Sequence, residues 1–164
     1  MNNLKEKLLS LVIFIDNKYL DFYCKLVEEN IDTKKVSGLT ERHHIIQRAY
    51  YKLNNLPIDN TAENLVNLTH HNHCLAHYYL CLCTLGELAY KNEYAFIKML
   101  KIKTRFEFNL DEFLQQATEY NKIYENFIIN QRNRAKSKTG ALKGKHCFTN
   151  GDKKIYAEVC PEGF

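Results

Sequence analysis

Glu41-Arg42-His43-His44-Ile45-Ile46, Glu63-Asn64-Leu65-Val66-Asn67-Leu68-Thr69 and His73-Cys74-Leu75-Ala76-His77 are the three passages on which the fold turns. Leu39 to Ile46 reads as an interrupted strand and Leu65 to Leu68 as a short one. Thr69 is a good N-cap for a helix over His70 to Leu85. Six of the seven histidines fall between positions 43 and 77. His73 and His77 stand at i and i+4, so both imidazoles leave one helix face, where a single ion can bridge them. His43-His44 adds a third donor from the preceding strand and a spare imidazole beside it. Neighbours in a regular strand face opposite ways. For one to bind metal and the other to do chemistry, the chain must leave strand geometry there, and the apolar/polar alternation does break down at Ile45-Ile46. Asn64, ahead of the helix, could fix an imidazole tautomer or simply turn the loop into the strand. His70, three residues before His73, is a rival ligand; His71 and His146 carry weaker signals.

Outward from this centre, Gln47 to Asn54 suits a short helix, and Asn54-Asn55-Leu56-Pro57 and Asp59-Asn60-Thr61 are turn chemistry. Toward the N-terminus, Leu4, Leu8, Leu11, Val12 and Ile15, then Tyr19, Phe22, Tyr23, Leu26 and Val27, have helical spacing. Leu11 to Ile15 could instead be a buried strand, which leaves room for a break near Asp16-Asn17. Asp32 to Gly38 is a polar connection. Gly86 ends or bends the histidine helix, and Leu88 to Ile102 resumes the period. Asp111 can cap one further helix whose apolar stripe runs from Phe113 to Ile128, read as core packing. Past Gln131 the pattern stops and a basic linker begins. Phe148 to Val159 reads as a small hairpin around Asn150-Gly151. The expected class is α+β and mostly helical. The expected divisions are 1–36, 37–85, 86–131 and 132–164.

At 164 residues the chain suffices for one domain, or one domain with a tail, and 45% apolar with 26% charged residues is globular composition. Leu8 to Ile15, the most apolar stretch, is too short for a bilayer span and is flanked by Glu6 and Asp16, so neither membrane insertion nor a signal peptide is expected. Six cysteines without a C-x-x-C read as free thiols and argue against a cysteine-held structural zinc. Residues 1–130 carry 15 Lys/Arg against 16 Asp/Glu, whereas 131–154 carry eight basic side chains against Asp152 alone. Attraction to a polyanion therefore belongs to the C-terminal segment, unless that segment is only a solubilising tail.

The three quoted passages, in that order, resemble the HNH endonucleases, with their ββα-metal finger. The likeness is closest to the phage-encoded homing-type branch, and the layout is also similar to that of colicin-type nuclease toxins. It covers about forty residues. The resemblance implies a central ββα-metal finger and metal-dependent hydrolysis of DNA phosphodiester bonds, and with the small C-terminal β-hairpin read above it completes the expected fold. It implies His43, His73 and His77 as metal ligands, His44 as general base and Asn64 as the residue orienting that base. It implies one divalent ion (Mg, Mn, Zn or Ni), DNA as partner, and a bacterial cytoplasm as location. Two features depart from the family: Gln47 stands where proline is frequent, and Arg48 to Leu56 replaces a glycine pair. Lys145 to Gly151 with Cys160 to Phe164 resembles a small module that follows the finger in some phage HNH proteins.

Arg42 and Arg48 are the nearest cations for a phosphate clamp, and Arg132, Arg134, Lys136, Lys138, Lys143 and Lys145 are the candidate DNA contacts of the tail. One finger attacks one strand at a time, so a double cut needs a homodimer or two visits. Two rival functions stand beside this one: a non-catalytic DNA-binding protein that keeps the finger as scaffold, and a metal-stabilised interaction module.

Overall fold

The structure, a computed structural model, describes residues 2–11, 13–103, 109–141, 146–149 and 154–157. It is mostly helical, with a two-stranded antiparallel sheet at the centre of the chain. The order is α1 (Asn2–Leu9), α2 (Lys18–Asn30), β1 (Thr40–His44), α3 (Arg48–Leu53), β2 (Leu65–Thr69), α4 (His70–Cys83), α5 (Gly86–Lys103), α6 (Leu110–Gln116), α7 (Tyr120–Ala141), β3 (His146–Thr149) and β4 (Lys154–Ala157). Two compact units result, Met1–Phe127 and Ile128–Phe164, and the division falls within α7.

In the first unit, β1 and β2 pair with His43 opposite Val66 and His44 opposite Leu65. The last strand residue, Thr69, is also the first cap of α4: its hydroxyl accepts from the Asn72 amide. One residue thus stops the ladder and starts the helix, which sets α4 directly behind the sheet. The chain does break before the second helix, between Leu9 and Lys18. Asn17 caps α2, its side-chain oxygen accepting from the Tyr19 and Leu20 amides at 2.9 and 3.2 Å. Residues 13 to 15 contribute a single bridge, Phe14 to Thr84, rather than a strand.

α2 packs on α4 through Leu20, Tyr23 and Val27 against Cys74, Tyr78 and their neighbours. Beyond them Tyr78, Phe96 and Phe113 form an aromatic cluster with centroids 5.9–6.4 Å apart, and burial of such rings is the largest apolar contribution available to this core. Cys24, Cys74, Cys81 and Cys83 are free thiols.

Three boundaries differ from the sequence reading. α4 stops at Cys83, two residues before Leu85, and Gly86 opens α5 instead of ending α4. At φ +61° Gly86 occupies the left-handed region, which lets the chain reverse between the two helices. The stripe from Phe113 to Ile128 is not one helix: it breaks at Ala117 into α6 and α7, and the cap is Asn109, whose side chain accepts from the Glu112 amide, with Asp111 in the first turn. Finally, the segment past Gln131 is not a linker at its start, because α7 continues to Ala141. Gln, Arg, Ala and Lys are good helix formers, so helix persists where the apolar stripe ends.

In the second unit β3 pairs antiparallel with β4. The Asn150-Gly151 turn expected between them, Lys143 and Lys145, and Cys160 to Phe164 lie outside the described residues. Among the described residues no helix is long and apolar enough to cross a membrane.

Candidate metal centre

His43 is the buried residue of β1, and His73 and His77 stand one turn apart on α4, which packs against that strand. Their ligating nitrogens all lie within 4.8 Å of one another. The three rings form a near-equilateral triangle, with centroid separations of 5.1, 5.2 and 5.1 Å. Two imidazoles from one helix face and one from a strand is the donor set of an open, three-ligand site.

Hydrogen bonds on the far side of two rings decide which nitrogen each presents. The Tyr23 hydroxyl donates to the Ile45 carbonyl at 2.7 Å, so toward His43 Nε2, 3.0 Å away, it can only accept. His43 therefore carries its proton on Nε2 and keeps its lone pair on Nδ1. His73 Nδ1 lies 2.8 Å from Glu41 Oε2, and a carboxylate only accepts, so the lone pair of His73 is on Nε2. His77 leaves Nδ1 buried with no hydrogen-bond partner.

Burial, followed by the neighbouring histidines, pushes the pKa of His43 well below the ordinary imidazole range. Burial, then His73, pushes that of His77 down to about 3, against the opposing pull of Glu41. Neutral imidazoles are what a transition-metal or zinc ion requires, and burial keeps His43 and His77 in that form.

A cleft of about 210 Å³ opens over the triad. Arg42, Arg48 and Lys91 supply its positive charge, and His44, Gln47 and Asn92 complete its polar lining. Among the described residues two buried side-chain polar atoms lack a partner, His77 Nδ1 and Gln47 Oε1, and both residues line this cleft. An orphaned buried group costs about 1–3 kcal/mol, so two at one cleft mark a place built to receive something polar. The residues present fit a divalent ion.

His44 ends β1, and it borders the same cleft as His43 because regular strand geometry stops there. Its Nε2 lies 2.9 Å from Asn60 Oδ1, an oxygen oriented by the donation of Asn60 Nδ2 to the Ile58 carbonyl at 3.3 Å. With the proton on Nε2, His44 presents Nδ1 as an acceptor. The amide on His44 is thus Asn60 and not Asn64. Asn64 is fully buried and holds backbone instead: its oxygen accepts from the Ile46 amide at 2.8 Å, and its nitrogen donates to the Ile46 and Asp59 carbonyls. It shapes the loop that follows His44.

Of the other sequence candidates, Arg42 and Arg48 line the cleft and are exposed. His70 is turned away toward the Gly38 carbonyl at 3.1 Å and the Glu41 carboxylate at 3.6 Å, and His71 packs edge-on to Phe113. Arg132, Arg134, Lys136 and Lys138 are carried by α7. Four residues of the site escaped the sequence reading: Tyr23, Glu41, Asn60 and Lys91. Only Glu41 left a usable signal, since at i−2 from His43 it shares that strand face.

No family model, no curated protein and no solved structure matches the chain.

Proposed function

We propose that the chain is a metal-dependent DNA endonuclease of the HNH class, with β1, β2 and α4 as its ββα-metal finger. The observation that carries this reading is the His43–His73–His77 triangle with a fourth imidazole, His44, on the same cleft but outside the triangle. A purely structural metal site has no use for a spare, separately oriented base.

His43, His73 and His77 would hold one divalent ion, leaving positions open for substrate. When bound, that ion supplies Lewis-acid activation of a non-bridging phosphoryl oxygen and stabilises charge on the departing 3′ oxygen. Arg42, Arg48 and Lys91 draw the phosphodiester into the cleft. His44 Nδ1 takes the proton of the attacking water, a transfer that imidazole performs near neutral pH. Asn60 keeps the other proton of that ring in place. Nitrogen ligands favour Zn²⁺ or Ni²⁺ in affinity, whereas Mg²⁺ or Mn²⁺ would bind weakly until substrate phosphate adds oxygens, so tightest binding and fastest turnover are expected from different ions. The C-terminal segment, with its eight basic side chains between 131 and 154, is in this reading a second DNA contact.

Supercoiled plasmid tests the proposal. The protein is expected to nick it with Mn²⁺ or Mg²⁺, to stop on addition of EDTA, and to resume when the ion is restored. Binding without nicking under every ion would favour the scaffold reading instead.

A further inference from the structure

We propose that the DNA strand runs along one face of α5, in a basic groove that continues past the histidine triad. This inference deepens the nuclease reading and rests on it. Lys91, Ala95, Lys98 and Met99 fall at i, i+4, i+7 and i+8 and so share one stripe of α5. That stripe borders two cavities. One is the cleft over the triad, with Lys91, Arg42 and Arg48. The second, about 600 Å³, is lined by Lys35, Arg42, Lys98 and Met99. Arg42, His73 and Ala95 belong to both, so the two are a single groove with His73 at its waist and the rest of the triad beside it in the first cavity. Lysine or arginine stands on each side of that waist, and alanine, with almost no side chain, is in the middle, where a backbone must approach closest.

The charges suit a polyanion. Lys35, Arg42, Lys91 and Lys98 are all exposed. The acids at the groove are already engaged: Glu41 with His73 at 2.8 Å, and Glu87 with Lys91 in a longer pair at 3.5 Å that a phosphate can displace. Seven residues of helix separate Lys91 from Lys98, a rise of about 10 Å at ~1.5 Å per residue. Carried on flexible four-carbon stems, the two ammonium groups can meet phosphates on either side of the scissile one. Ammonium groups on phosphates position a strand without reading its sequence.

The test is DNA binding by the full chain with Lys91→Gln and Lys98→Gln together, measured by anisotropy of a labelled duplex in EDTA across a salt series. A control pair, Lys25→Gln with Lys122→Gln, changes net charge equally at exposed positions off the groove. Circular dichroism and Zn²⁺ titration confirm that both variants keep fold and triad. The groove pair is expected to reduce the slope of log K against log salt by about 1.8, two phosphates at ~0.9 each, and the control pair to leave it unchanged. Plasmid nicking by the groove pair should be slow at limiting DNA and recover at saturation. Equal slopes for the two variants would overturn the groove while leaving the nuclease reading intact. A wild-type chain that binds no DNA at any salt would overturn both.

Discussion

A neutral imidazole has one lone pair, and whatever its other nitrogen touches decides where that pair points. In this chain Tyr23 performs that task for His43, Glu41 for His73 and Asn60 for His44. Tyr23→Phe keeps the ring in the core but removes the acceptor from His43 Nε2 and the donor from the Ile45 carbonyl. Zn²⁺ affinity is expected to fall ~10–100-fold, as for other losses of a hydrogen bond behind a metal ligand, and calorimetric titration reads it. Unchanged affinity would mean that packing alone holds the ring. The shared face of His73 and His77 was legible in their spacing, whereas His43 rather than His44 as the third member came only from the family resemblance. Tyr23 was not, because it sits in an apolar helical stripe and reads as core, which it also is. Asn60 was hidden among turn residues, where its partner depends on a loop path that no periodicity encodes.

At the scale of elements, the site depends on β1 ending where it does. The Asn64 side chain clamps the Ile46 backbone from both sides and reaches the Asp59 carbonyl, which fixes the turn out of the strand just after His44. Asn64→Ala leaves these buried backbone groups without partners. It is expected to cost about 2–4 kcal/mol in urea unfolding with an unchanged m-value; a loss under about 0.5 kcal/mol would show that water replaces the amide without cost. Elements with strong local chemistry were readable: the Asn17 break and the Thr69 cap both rest on interactions within a few residues. The break at Ala117 was not, since neither glycine nor proline marks it. What holds it is tertiary. The Glu119 amide donates to the Tyr78 hydroxyl at 3.0 Å, across from α4, and Phe113 is fully buried in the aromatic cluster. The continuation of α7 past Gln131 was missed for the opposite reason: helix propensity sustains it without any apolar period.

Over the whole molecule the charge is split. Residues 131–154 hold eight basic side chains against one acid, while the candidate chemistry lies between positions 43 and 77. Affinity and catalysis should therefore separate. With Arg132, Arg134, Lys136, Lys138, Lys143 and Lys145 all changed to Gln in the full chain, the triad should bind Zn²⁺ as before. DNA affinity should drop with a shallower salt dependence, by about 0.9 in slope for each phosphate no longer neutralised, and nicking should persist at low salt. An unaltered slope would assign the whole electrostatic footprint to the first unit.

Whether His44 acts as a base or as a ligand is read from the nicking rate of His44→Ala on supercoiled plasmid, with Zn²⁺ and DNA binding measured on the same preparation. Loss of a base should lower the rate ~10²–10⁴-fold while both affinities stay at wild-type values. A variant that nicks at the wild-type rate, or that loses Zn²⁺ affinity together with activity, would contradict the base assignment.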